Sequence, residues 1–245
     1  MTPTSPRSDG PRRLTIGLEA GATVSALAYE AFDPQFHATL VLAHGAGAGQ
    51  FSPFMTSFAT ALSALGLDTV TFNFLYTERG RRVPDRRPSL EACYRAVVRA
   101  VRNEIESAAR CLFIGGKSMG GRIATYLATD STLVLAGVVL LGYPLHPPGR
   151  PGERRDSHLP DVRVPMLFVQ GSNDAFGTPA ELEPALATLS PAATLHVVEG
   201  GDHSFKVPRA GPTKQEAVYA DVQRTVAGWT GRVSRARQEA RLPSA

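Results

Sequence analysis

CLFIGGKSMGGRIATYLAT, residues 111–129, is the stretch from which the rest of the chain can be read. It opens on an apolar run that suits a strand covered on both faces, passes through glycines, and continues from Ser118 to Thr129 with helical spacing. Gly116-Lys117-Ser118-Met119-Gly120 fits G-x-S-x-G, and a strand-to-helix turn is the context that pattern requires. The reason is steric. A sharp turn holds the serine in a strained backbone conformation, where Gly116 and Gly120 lack the Cβ atoms that would clash, and Gly115 and Gly121 relax the crowding further. The serine then projects at a helix N-terminus, where backbone N–H groups favour negative charge, and the Met119 N–H can donate to an oxyanion. The plain alternative is a tight strand–helix turn without chemistry. A phosphate-binding loop, G-x-x-x-x-G-K-[ST], is disfavoured because its first glycine would fall on Cys111, inside the strand.

Outward from this stretch, strand and helix patterns alternate. RLTIGL and TVSALAYE read as an opening hairpin, and ATLVLAH (38–44) as a buried strand. Residues 53–65 have helical spacing, with Ser52 as N-cap, Pro53 at the first position and Gly66 as the stop. LDTVTFNF (67–74) is a further strand, followed by an arginine-rich loop and a helix over about 89–108. AGVVLLG (136–142), VPMLFVQG (164–171) and TLHVVEG (194–200) complete the strands, with helices over about 180–189 and 213–230. This alternation predicts an α/β domain over 12–231 with a mostly parallel central sheet and helices on both faces. Residues 1–11 read as a disordered N-terminal tail, and 232–245 as a polar, frayed C-terminal tail. In such sheets ligands sit beyond the carboxyl ends of the strands, so the loops after each strand are where chemistry is expected.

A serine hydroxyl needs a base, and the base needs a third group to fix its tautomer. After VPMLFVQG comes Asp174, and after TLHVVEG comes His203; each follows a strand. Asp202 is the rival acid, but the immediate neighbour of His203 is poorly placed to reach the far imidazole nitrogen. His37, His146, His158 and His196 lack the strand-then-loop placement near the chain end. A second oxyanion donor is expected from His44-Gly45-Ala46-Gly47-Ala48-Gly49, where small residues let the backbone approach a carbonyl: the Ala46 N–H, with Gly47 as fallback. His44 reads as a loop-fixing residue.

At these residues a resemblance becomes specific. LAHGAGAGQFSPFM, FNFLYTERGRRVPDRRP, GGKSMGGR and FVQGSNDAFG resemble the small α/β-hydrolase family related to dienelactone hydrolases. The likeness is nearer still to its branch containing a testis-expressed protein and a subunit of a chromatin acetyltransferase complex. It covers roughly 38–230. It implies an α/β-hydrolase fold with no large cap domain, and a triad in the chain order Ser118, Asp174, His203. Dienelactone hydrolases use a cysteine nucleophile, and a serine stands here.

The expected activity is hydrolysis of a small-molecule ester or related acyl bond without cofactor or metal; the alternative is a non-catalytic subunit built on the same fold. Tyr76 and Arg79, after LDTVTFNF, are candidate substrate contacts together with Gly47. An arginine of 79–87 could hold a carboxylate or phosphate, or the loop could be pinned internally by Glu78 and Asp85. PLHPPGRPGERRDSHLPD (144–161), in the usual lid position, is too short and polar for an apolar lid, so an open site is expected. Net charge is +4, with basic residues crowded at both ends and at 79–87. No module of interleaved basic and aromatic residues accompanies them, so nucleic acid is not the expected partner. The N-terminal residues lack a signal-peptide core and no run approaches a membrane span, so a cytoplasmic protein is expected. Cys93 and Cys111 read as reduced, packed side chains.

Overall fold

A computed structural model describes residues 10–240; most of the expected N-terminal tail and the last five residues lie outside them. The described strands are β1 (Arg12–Gly17), β2 (Thr23–Tyr29), β3 (Thr39–Ala43), β4 (Asp68–Phe72), β5 (Leu112–Lys117), β6 (Gly137–Leu141), β7 (Met166–Gly171) and β8 (Thr194–Val198). They form one sheet in the order β1-β2-β4-β3-β5-β6-β7-β8. The opening hairpin is antiparallel, pairing Arg12 with Ala28, and β2 runs antiparallel to β4. Every pairing from β4 to β8 is parallel.

The inner strands are apolar throughout because both faces are covered. Alternate residues feed two separate cores. Val41, Ile114, Val138 and Leu140 face one, packed by α3 (Arg87–Glu104), α5 (Met119–Leu127) and α6 (Pro179–Leu186). Leu40, Leu42, Phe113 and Val139 face the other, packed by α1 (Pro53–Ala64) and α7 (Pro212–Glu239). Two short helices, α2 (Leu75–Glu78) and α4 (Glu106–Arg110), complete the set. Between β6 and β7 the described chain forms only a 3-10 turn, Leu159–Asp161, so no cap domain covers the sheet. No helix among the described residues is long and apolar enough to cross a membrane. Cys93 and Cys111 are free and buried, and burial pushes the Cys93 thiol up to about 12.

Three local expectations are corrected. The helix expected over 89–108 breaks at Ile105, whose backbone is extended (φ −118°, ψ 117°) so that its side chain enters the core. Ser52 holds the N-cap position of α1 but makes no side-chain cap, and the Thr56 hydroxyl instead donates to the Ser52 carbonyl (3.2 Å). The final helix does not fray near 230. It continues through Glu239 because its inner face still has something to cover: Gly231 lies against the Phe36 ring, and the buried Ser234 hydroxyl donates to the Phe36 carbonyl (2.9 Å).

Trp229 anchors α7. It meets Phe113 of β5 edge-on at 5.8 Å, and its indole N–H donates to the Thr194 hydroxyl (3.2 Å). Trp229→Ala is expected to cost about 4 kcal/mol of unfolding free energy through lost burial and the cavity left behind, measured by urea titration.

Candidate active site

The sheet order reverses direction between β3 and β5: β4 lies on one side of this pair and β6 to β8 on the other. That is the topological switch point, where a crevice opens beyond the strand ends. The loops leaving β3 and β5 carry the small-residue stretch Gly45–Gly49 and Ser118.

Ser118 has φ +52° and ψ −117°, a conformation that L residues rarely hold and that costs about 1–3 kcal/mol. The turn is imposed by close approach. A Cβ on Gly116 would lie 2.5 Å from the Gly120 carbonyl carbon and 2.6 Å from the Ala43 carbonyl oxygen, and one on Gly120 would lie 2.5 Å from that same oxygen. Helix α5 therefore starts directly against the end of β3, leaving the Ser118 side chain at the rim. The Ser118 N–H donates to the Leu141 carbonyl (3.0 Å), tying the turn to β6.

Three side chains from distant loops meet at this point. Ser118 Oγ lies 2.8 Å from His203 Nε2, and His203 Nδ1 lies 2.7 Å and 3.0 Å from the two carboxylate oxygens of Asp174. A carboxylate at Nδ1 requires a proton there, which leaves Nε2 as the acceptor for the serine hydroxyl. Asp174 is buried, and its oxygens also accept from the Phe176 N–H (2.8 Å) and the Gln170 side-chain amide (2.8 Å). Phe176 stacks on the His203 ring at 4.2 Å and limits its rotation. Asp202 is spent on its own turn, accepting from the N–H groups of Ser204 (2.7 Å) and Lys206 (2.9 Å).

Ser118, Met119, Ala46 and His203 line one cavity of about 910 Å³. The N–H groups of Ala46 and Met119 donate to no acceptor among the described residues. His44 fixes the loop before them: Nδ1 donates to the Gly45 carbonyl (2.8 Å) and Nε2 accepts from the Phe74 N–H (3.2 Å). Burial lowers its pKa, so it is held neutral.

The proposed substrate contacts fare differently. Gly47 (φ +71°), Tyr76 and Arg79 do not line the cavity. Gly47 forms the turn that puts Ala46 forward. Tyr76 is fully buried behind it, edge-on to His44 at 5.9 Å, and Arg79 closes the short helix α2 at the surface. Asp85 does pin Arg81 (2.6 Å), whereas Glu78 turns away to accept from the Ser25 N–H (2.9 Å).

Other residues line the cavity instead. Arg87, Arg122 and Arg155 stand on one side, and Phe54, Lys206 and Tyr219 also contribute. Arg122 had a signal, four residues past Ser118 on a helix; Arg155 follows a strand in the lid-position loop. Gln170 had none, because a glutamine inside an apolar strand reads as tolerated polarity. Its side chain nonetheless joins the Asp174 carboxylate, the Tyr143 N–H (2.8 Å) and the Gly177 carbonyl (2.7 Å). Among the described residues no cluster of His, Cys, Asp and Glu could hold a metal ion.

A family model described as an alpha/beta hydrolase domain matches residues 36–231, and the chain belongs to that family. Solved structures share its fold. An alpha-beta serine hydrolase homologue from Coxiella burnetii superposes with a TM-score of 0.70 at 18% identity, covering 91% of this chain and 99% of its own. A dienelactone hydrolase from Anabaena variabilis gives 0.69 at 20% identity, covering 89% and 96%. An α/β serine hydrolase without lid from Xanthomonas campestris gives 0.67 at 22% identity, with both chains fully covered. These matches reach the α/β-hydrolase domain and its capless, dienelactone-hydrolase-like form, not the testis-expressed branch.

Lys117, the residue before Ser118, is buried and donates through Nζ to the His203 carbonyl. Burial pushes its pKa down from the ordinary 10.5 to about 8, against the opposing pull of Asp174 and Asp202. A base whose pKa is lower in the folded state holds its proton less well there, so from pH about 8 to 10.5 the unfolded chain binds more protons and this contribution to stability rises with pH. Lys117→Met removes it. The stability difference, variant minus wild type, is expected to be most positive below pH 8 and to shrink toward pH 10.5 in denaturant titrations.

Proposed function

We propose that the protein is a serine hydrolase that cleaves a small-molecule ester or related acyl bond. The observation that carries this reading is the hydrogen-bonded row Asp174–His203–Ser118, with both links within 2.8 Å, at the rim of an open cavity. Ser118 attacks the carbonyl as His203 Nε2 takes its proton. Asp174, held in place by the Phe176 N–H and Gln170, stabilises the imidazolium and its tautomer. The N–H groups of Met119 and Ala46 hold the oxyanion, each contributing about 3 kcal/mol of transition-state stabilisation. The imidazolium then protonates the leaving group. Water deprotonated by His203 releases the acyl group from Ser118. Membership of the α/β-hydrolase family supports the reaction class, and the absence of a cap supports a small or exposed substrate. A non-catalytic role would give no reason to keep Ser118 strained beside a base and two N–H groups that meet no acceptor among the described residues.

A fluorophosphonate probe is expected to label the wild-type protein and not Ser118→Ala, as read by intact-protein mass; labelling that survives the substitution excludes this serine as nucleophile. Asp174→Asn keeps the shape but presents the wrong hydrogen-bonding group to Nδ1. Its kcat on an aryl ester is expected to fall by about 10⁴-fold.

A further inference from the structure

The cavity beyond Ser118 is lined by Arg122 and Arg155, which make no ion pair among the described residues, and by Asp85, which is paired with Arg81. Arg122 lies one turn along α5 from Ser118, its N–H donating to the Ser118 carbonyl (3.1 Å), and its side chain lines the cavity. Its Nε is shut off from solvent with no hydrogen-bond partner. Arg155 reaches the same cavity from the loop after β6. Its backbone is anchored on both sides, the N–H donating to the Leu145 carbonyl (2.8 Å) and the carbonyl accepting from the buried Tyr143 hydroxyl (2.6 Å). Neither guanidinium makes an ion pair among the described residues. The nearby carboxylates are committed elsewhere: Asp85 to Arg81 (2.6 Å), Asp156 to Arg154, Glu153 to Arg150 (2.9 Å). Arg87, the third arginine of the wall, is already held by Glu91 (3.3 Å) and by the Tyr126 ring beneath it (4.4 Å).

The two unpaired arginines act on each other and on their surroundings. Burial, and next the charge of Arg122, lower the pKa of Arg155. Burial, then Arg87 and Arg122, push His158 down to about 4, so this histidine adds no charge near neutral pH. Two like charges facing one cavity repel in the free protein, and that repulsion is offset when an anion sits between them. A planar carboxylate matches guanidinium donors in pairs.

Resting on the Ser118 reading, we propose that Arg122 and Arg155 form an anion subsite and that the substrate is an ester bearing a carboxylate a few bonds from the scissile carbonyl. The separation follows from the helix: one turn is about 5.4 Å, and Arg122 stands one turn from the nucleophile.

Two fluorophosphonates of equal chain length, one ending in a carboxylate and one in a methyl group, test this through their rates of labelling Ser118. The carboxylate probe is expected to react about tenfold faster with the wild-type protein at low salt, with the advantage shrinking in about 0.5 M sodium chloride. R122Q/R155Q is expected to bring the ratio near one, while R122K/R155K retains part of it. If the double variant does not fold, Arg155→Gln, in a loop, is expected to lower the ratio alone. Equal rates in the wild type, or an advantage that persists without both guanidinium groups, would overturn the subsite while leaving the nucleophile intact. Labelling by neither probe would overturn the Ser118 reading itself, and this inference with it.

Discussion

Helix α5 begins in van der Waals contact with the end of strand β3, and most of what matters in this molecule follows from that approach. The Ala43 carbonyl oxygen occupies the space that a side chain at Gly116 or Gly120 would need. Two missing Cβ atoms let the chain reverse within one residue, and that residue is Ser118, held at φ +52°. The strain is sustained because both flanks are fixed, β5 between β3 and β6 and α5 against the sheet. A serine held this way presents its hydroxyl outward and leaves the first N–H groups of the helix facing the same space.

Around that point the protein concentrates polar groups that would be costly elsewhere. Asp174 is buried yet fully engaged, by His203, the Phe176 N–H and Gln170. Lys117 is buried beside the same loop and spends its ammonium on the His203 carbonyl. Such a network holds the imidazole by several independent contacts. The cavity beyond differs in kind: its oxyanion-side N–H groups and two of its arginines have donors to spare. The contrast between the saturated Asp174–His203–Ser118 row and the unsaturated pocket suits a site that receives a ligand.

Capless architecture shapes the rest. With only a loop and a 3-10 turn between β6 and β7, no cap among the described residues folds over Ser118, and the proposed selectivity rests on side chains at the cavity wall. The loop in the lid position buries Leu145 and Leu159, exposes residues 148–154, and contributes Arg155 to the cavity wall.

The strand and helix order, the sharp turn at Ser118 and the placement of Asp174 and His203 after strands were legible in the chain because each depends on local rules. Apolar runs make buried strands, glycines permit the turn, and polar residues directly after strands arrive at the same rim. His203 was preferred over His37, His146, His158 and His196 on that placement, and Asp174 over Asp202 on reach. What sequence could not determine was which side chains from one loop face the cavity. Tyr76 and Arg79 follow β4 and Gly47 follows β3, yet the fold turns Tyr76 into the core and leaves Arg79 at the surface, and none of the three lines the cavity. Arg122 and Arg155, distant in sequence, are brought to one wall. The break at Ile105 and the length of α7 were likewise set by packing against residues far along the chain, Asp68 with Ser107 and Phe36 with Ser234. Periodicity and turn chemistry act between near neighbours and so are written in the chain; the facing of a side chain depends on which distant surfaces it meets, and only the folded structure decides that.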